Sequence, residues 1–80
     1  MKEVKIRYPR KYILHNGKAE FVETCQITNK EYKVVVPFED FRRWKENKEL
    51  AHEVFDYLDA DQREFIISGF TPEEFKHITS

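Results

Sequence analysis

The segment that decides the fold is residues 58–78, which read LDADQREFIISGFTPEEFKHI. It predicts two short helices with a stop and a restart between them. Asp59 is placed to cap the first helix, and Gln62, three residues on, can reach back to the Asp59 amide. Gly69 follows that helix where a left-handed C-terminal cap is favoured, because glycine enters this conformation without steric cost.

The second helix has its own start signal. Thr71 is the predicted N-cap, Pro72 takes the first helical position, and Glu74 completes a second capping box. Phe70 and Phe75 occupy the two positions of a hydrophobic staple, which would fix the angle at which the chain enters the helix. These signals specify local structure strongly and indicate no chemistry.

Alternating residues in the first half of the chain predict β-strands. Val4, Ile6 and Tyr8 alternate with basic residues, the period of a half-buried strand, and Pro9 interrupts this strand or places it at an edge. The dipeptide at 16–17, Asn-Gly, is a strong signal for a tight hairpin. Three valines at 34–36 indicate a strand with both faces partly covered. The predicted strands cover residues 2–8, 12–15, 19–27 and 32–36.

Apolar residues then recur at helical spacing. Phe38, Phe41 and Trp44 define a first helix, and an apolar stripe that begins at Leu50 defines a second. Asn47 suits a left-handed cap between them, although the absence of Gly and Pro leaves one bent helix across both segments as an alternative. The predicted helices cover residues 37–46, 48–58, 60–68 and 72–78.

These elements predict an α+β fold. We expect a three- or four-stranded antiparallel β-meander followed by three or four short α-helices packed on one face. The 80 residues fit one domain, with the sheet in 1–36 and the helical part in 37–80.

Composition indicates a folded, soluble protein. Hydrophobic residues make up 40% of the chain, no apolar run approaches the ~20 residues of a membrane span, and no signal-peptide pattern opens the sequence. A single cysteine, Cys25, cannot form an internal disulfide and favours a reducing, cytoplasmic setting. Charge is uneven: residues 1–48 carry 12 Lys and Arg against 7 Asp and Glu, and residues 49–80 carry 2 against 8. The two halves either pair within one molecule or attract separate partners.

The C-terminal part also carries a resemblance. The segments Arg63-Glu64-Phe65, Ile67-Ser68-Gly69 and Thr71-Pro72-Glu73-Glu74-Phe75, with Trp44, Asn47, Leu50, Val54, Phe55, Leu58 and Asp61 before them, are similar to the tail of a group of small phage and mobile-element proteins. These usually read Arg-Glu-Phe-Leu-Ile-Ser-Gly and then Thr-Pro-Glu-Glu-Trp. The resemblance implies a bacterial host cell and a protein that acts by occupying a host protein, such as a defence component. It implies no particular activity.

Some similar proteins carry Cys-x-x-Cys at the positions of Thr71 to Glu74 and again in the preceding hairpin, here Cys25 to Thr28. Four such thiolates would close a structural zinc site. This chain keeps one of the four, so we expect no metal. The comparison still implies that the turn at 25–28 lies beside the helix start at 71–74, with the capping box and staple in place of the metal.

Catalytic candidates are few. Cys25 could pair with His15, His52 or His77 as a thiolate and imidazole, but nothing in the sequence places them together. Cys25 falls on the apolar face of its strand, which favours a buried cysteine acting as a small hydrophobic residue. We therefore expect no enzyme activity, no catalytic residues and no cofactor.

Nucleic-acid binding is one alternative. Basic side chains beside Tyr8 and Tyr12 are the ingredients of single-strand binding on a sheet. The isoelectric point near 6.3 is low for that class. The candidate phosphate-binding residues are Lys5, Arg7, Arg10 and Lys11.

A protein-binding or self-associating role is the preferred hypothesis. Seven Phe, four Tyr and one Trp exceed what an 80-residue core readily buries, and surface aromatics are typical interface anchors. The sheet edge at residues 2–8 could also pair with a partner strand or with its twin in a homodimer. The candidate partner-binding residues are Tyr8, Tyr12, Phe38, Trp44 and Tyr57.

Overall fold

A three-stranded antiparallel sheet is followed by four helices, so the predicted α+β class is confirmed. The computed structural model describes residues 3–7 and 11–79. The strands are β1 (Ile13–His15), β2 (Lys18–Thr24) and β3 (Glu31–Pro37). The helices are α1 (Phe38–Lys45), α2 (Ala51–Val54), α3 (Ala60–Ser68) and α4 (Pro72–Thr79).

The sheet is a meander in the order β1-β2-β3. β1 and β2 are joined by the predicted Asn-Gly turn, in which Asn16 has a φ of 50° and Gly17 a φ of 71°. Two successive positive φ values define a type I′ turn, whose twist matches that of the flanking strands. The register pairs Leu14 with Ala19 and Ala19 with Val36, and these side chains share the face that packs against the helices.

The prediction of a strand at 2–8 is wrong over the described residues 3–7, which form no strand. The Lys5 main chain bonds the Gln26 side chain in both directions, at 2.9 and 3.0 Å. The segment therefore runs beside the end of β2 without joining the ladder. Tyr8 and Pro9 lie outside the described residues.

Two side chains on the sheet bear on the sequence pattern. Val34 and Val36 are buried and Val35 is 37% exposed, so the inner face is covered and the outer face partly covered, as predicted. Glu23, which breaks the apolar pattern of β2, pairs with Arg7 at 3.0 Å.

The middle helices are shorter than predicted. α1 ends at Lys45, and α2 is a single turn because Phe55 leaves the helical region with φ −105° and ψ 46°. The Phe55 side chain, at the end of this turn, is completely buried. The left-handed residue between the helices is Lys48, with a φ of 57°, and not Asn47. The two helices are separate, so one bent helix is excluded.

The C-terminal helices follow the sequence signals closely. Asp59 accepts a hydrogen bond from the Gln62 amide at 2.8 Å, and the Gln62 side chain accepts one from the Asp59 amide at 3.0 Å. Gly69 takes the left-handed C-cap with a φ of 87°. Thr71 and Glu74 form the second capping box. The staple between Phe70 and Phe75 stays a prediction.

The core lies between the inner face of the sheet and the helices. Phe55 and Phe65 are fully buried in it. The remaining core members, all at most 5% exposed, are Ala19, Phe21, Val34, Val36, Phe41, Val54 and Ile66.

We predict that Asp59→Ala lowers the free energy of unfolding by about 1 kcal/mol, because α3 loses the acceptor for its N-terminal amide. Urea denaturation measures this loss. Asp56→Ala is the control, since Asp56 is exposed and caps no helix, and should change stability by less than about 0.5 kcal/mol. Equal effects of the two substitutions would contradict a working capping box.

Candidate functional site

The Glu74 carboxylate joins the N-terminal segment, the sheet and the helices. It is fully buried at the start of α4. Arg7 donates to both of its oxygens, through Nη1 at 2.6 Å and Nη2 at 2.7 Å. The amides of Gln26 and Thr71 donate to it at 2.6 and 2.8 Å. Four donors on one carboxylate satisfy the hydrogen-bonding capacity that burial would otherwise leave unmet.

All three guanidinium nitrogens of Arg7 also have polar partners. Besides Glu74, it donates to the carbonyl oxygens of Gly69 at 2.5 Å and Thr24 at 2.7 Å, and its Nε lies 3.0 Å from a Glu23 oxygen. Its side chain is only 14% exposed. Arg7 is thus an internal residue that anchors residues 3–7 to both halves of the fold.

Protonation of Glu74 is strongly disfavoured by this arrangement. Burial by itself would raise its pKa, but the hydrogen bonds from Arg7, Gln26 and Thr71 outweigh burial and lower the pKa to about 2. The ion pair therefore persists at neutral pH.

The expectation that the turn at 25–28 lies beside the helix start at 71–74 is confirmed. Gln26 in that turn bonds Glu74 directly. Cys25 is 1% exposed and accepts a hydrogen bond from the Thr28 amide at 3.5 Å. Burial would raise the pKa of the Cys25 thiol, but hydrogen bonds with Thr28 and Thr71 lower it. The four positions 25, 28, 71 and 74 thus converge, and an ion pair with Arg7, which the sequence did not indicate, holds them together.

The structure separates the candidate phosphate-binding residues. Arg7 is bound internally, whereas the side chains of Lys5 and Lys11 are exposed. Arg10 lies outside the described residues. The ring of Tyr12, proposed for base stacking, lies 4.7 Å from Phe41 and 5.8 Å from Phe21, and the residue is 43% exposed.

The described partner-binding candidates are linked through one aromatic cluster. Phe41 lies 6.3 Å from both Phe38 and Trp44, in addition to its contact with Tyr12. Trp44 in turn meets the buried Phe55 edge-on at 5.9 Å. The cluster is continuous, but Phe38 and Trp44 are partly buried in the core.

Tyr57 lies at the far end of this cluster, with its ring 6.5 Å from Phe55. Its hydroxyl donates to Asp40 at 2.8 Å, although the residue is 52% exposed. Partial burial and the hydrogen bond to Asp40 raise the pKa of Tyr57. Tyr8 lies outside the described residues, so the candidates at 12, 38, 44 and 57 are the ones that the structure places.

An open groove, which we call the α1–α3 groove, lies between the end of α1, the segment 48–52 and α3. Its volume is about 620 Å³, and it is open to solvent. Trp44 contributes to its apolar surface, together with Leu50 and Ile67. Leu50 is 56% and Ile67 50% exposed, so the groove presents large aliphatic side chains to solvent. The apolar positions could be predicted from the sequence, but their exposure beside α2 and α3 could not.

The charged rim of the groove carries more basic than acidic side chains. Lys45, Lys48 and Arg63 line it, against Glu49 and Glu64. Glu49 is already paired with Arg43, outside the groove lining, at 2.8 Å. The groove therefore combines an apolar surface with an excess of positive charge.

Within residues 3–7 and 11–79, no group of three or more His, Cys, Asp or Glu side chains is arranged to hold a metal ion. Over the same residues, no helix combines the length and apolar character needed to span a membrane.

Comparison of the chain with protein-family models, with curated proteins and with solved structures finds no match in any of the three.

We predict that Arg7→Ala lowers the free energy of unfolding by about 3–5 kcal/mol, because it leaves the buried Glu74 carboxylate without its counter-charge. Chemical denaturation at neutral pH measures the loss. Lys5→Ala is the control: it removes an exposed side chain and leaves the main-chain bonds to Gln26 in place. A loss below about 1 kcal/mol for Arg7→Ala would show that the ion pair does not hold the fold together.

We also predict acid sensitivity from Glu74. Its pKa is lower in the folded state than the ordinary value of 4.5, so its contribution is complete above about pH 4.5 and is lost as pH falls towards 2. The shift corresponds to about 3 kcal/mol. Unfolding free energies between pH 7 and 2 should show this decline, and Glu74→Gln, less stable at pH 7, should show a shallower one. Parallel curves for the two proteins would assign the acid sensitivity to other carboxylates.

Proposed function

We propose that this protein is a non-catalytic protein-binding module whose α1–α3 groove receives an apolar segment with carboxylate side chains from another protein. The observation that carries the proposal is the pair of exposed aliphatic side chains, Leu50 and Ile67, in a groove with a basic rim. Large apolar side chains in a surface groove with a polar rim are characteristic of protein-binding sites.

The shape of the groove favours a segment of a protein over a small ligand. Small-molecule sites enclose most of the ligand surface, whereas this groove is open to solvent. Trp44 supplies the aromatic side chain that often anchors such contacts, and its edge contact with Phe55 holds the indole in place. Lys45, Lys48 and Arg63 favour a partner segment that contains Asp or Glu.

Single-stranded nucleic-acid binding, the alternative, has less support. Arg7 is bound to Glu74, and Tyr12 packs on Phe41. Lys5 and Lys11 remain as exposed candidates among the described residues. Arg7→Ala should destabilise the fold, so Lys11→Ala is the cleaner test of phosphate binding.

The resemblance to phage-type proteins suggests where to look for the partner. Under this proposal the protein acts in the bacterial cytoplasm by occupying a host protein, for example a defence component. Self-association remains an alternative, and light scattering of the purified protein measures it.

We predict that Ile67→Glu abolishes partner binding, because it places a carboxylate in the groove where the apolar contact forms. Ile78→Glu is a matched control: Ile78 is 47% exposed, also helical, and does not line the groove. Affinity capture from nuclease-treated bacterial lysate should retain a protein with the wild type and Ile78→Glu, and lose it with Ile67→Glu.

The captured protein is then titrated directly. Trp44 is the only tryptophan in the chain and lines the groove, so its signal reports on the site. If the partner lacks tryptophan, the fluorescence of Trp44 is excited selectively. If the partner contains tryptophan, this protein is labelled with 5-fluorotryptophan. Binding at the groove should shift the Trp44 signal, and Ile67→Glu should weaken binding at least 10-fold. Capture that Ile67→Glu leaves intact would overturn the proposal, as would capture that nuclease removes.

A further inference from the structure

The free edge of the sheet at β1 differs from the rest of the sheet. α1 packs against β2 and β3, and α3 packs against β3, whereas β1 is an edge strand whose three residues are all exposed. Ile13 is 60% and Leu14 54% exposed, and Tyr12 just before them is 43% exposed. Three consecutive large apolar residues on an open strand edge form a template for pairing with another chain.

The backbone of β1 offers hydrogen bonds in the same place. The type I′ turn is closed by His15 and Lys18, which form a hydrogen-bonded pair. Hydrogen-bonded and non-hydrogen-bonded pairs alternate along an antiparallel ladder. Leu14, paired with Ala19, is therefore in a non-hydrogen-bonded pair. Its N–H and C=O point away from β2, towards the open edge.

Side chains on both faces would meet an added strand. Ile13 shares the outer face with Val35, through the register of both with Glu20. Leu14 shares the inner face with Ala19 and Val36. A strand beside β1 would therefore find apolar neighbours above and below the sheet.

The charges around this edge select the partner. Lys11 and Lys18 are exposed and form no salt bridge with the described residues, whereas Lys33 on the outer face is paired with Glu20 at 3.0 Å. A second copy of β1 would carry the same lysines and would offer them no counter-charge. An extended segment with acidic residues would be attracted.

We propose that β1 accepts an extended, acidic segment of another protein as a fourth strand, paired through the main chain of Leu14. This surface shares no residue with the α1–α3 groove lining, so it is a second docking site whose test is independent of the first. The recognition is β-strand addition, in which main-chain bonds supply affinity and alternate side chains supply specificity.

The test selects random dodecapeptides displayed on phage against the immobilised full-length protein. We expect enriched sequences that alternate apolar with acidic residues. When a synthetic version of an enriched peptide is added, ¹⁵N NMR spectra of the protein should show the Leu14 amide protected from hydrogen exchange. Leu14→Pro removes the outward donor and spares the hydrogen bonds between β1 and β2, and it should weaken binding at least 10-fold while Ile67→Glu leaves it unchanged.

A second measurement keeps the wild-type protein intact. Methylation of the peptide amide that faces Leu14 should weaken binding by a similar factor, and a copy with Lys in place of Glu should bind at least 10-fold more weakly. The proposal is overturned if no peptide is enriched, if enriched peptides perturb the groove and not β1, or if the Lys copy binds equally well. A homodimer that Leu14→Pro dissociates would also overturn it, in favour of a second copy.

Discussion

The ion pair between Arg7 and Glu74 is the interaction on which the rest of the structure depends. It connects residues 67 positions apart, and the same carboxylate caps α4 and binds the turn after β2. A buried carboxylate is costly to desolvate, and here that cost is offset by four donors and a counter-charge. Loss of either partner would expose the junction of N-terminal segment, sheet and helices at once.

Two apolar surfaces of the molecule lie apart from this junction. The aromatic cluster from Tyr12 through Phe41, Trp44 and Phe55 to Tyr57 runs through the body of the fold. The β1 edge lies near the Tyr12 end, and the α1–α3 groove lies at Trp44. The two proposed docking surfaces, both with basic surroundings, support the proposal of a small protein that acts by binding other proteins. Under these proposals, the basic character of each surface would favour acidic partner segments.

Much of the fold was predictable because its signals are local. Capping boxes at Asp59 and Thr71, the left-handed Gly69 and the type I′ turn each depend on residues within a few positions of one another. The prediction of an N-terminal strand was wrong for the opposite reason, because the outcome there depends on a residue far along the chain. Alternation at Val4 and Ile6 indicates an extended chain, but whether that chain joins a sheet depends on where Arg7 finds its partner. The groove was not predictable either, since it depends on how far α2 extends.

The sequence by itself determined the order of the elements, the turn types and the ends of the last two helices, because neighbouring side chains fix backbone conformation there. Tertiary structure alone decided which charges are buried and paired with residues far along the chain. Arg7 and Lys5 look alike in the sequence, yet one is buried against Glu74 and the other is exposed. The physical reason is that burial and pairing of a charge depend on groups far along the chain, which only the folded arrangement brings within hydrogen-bonding distance.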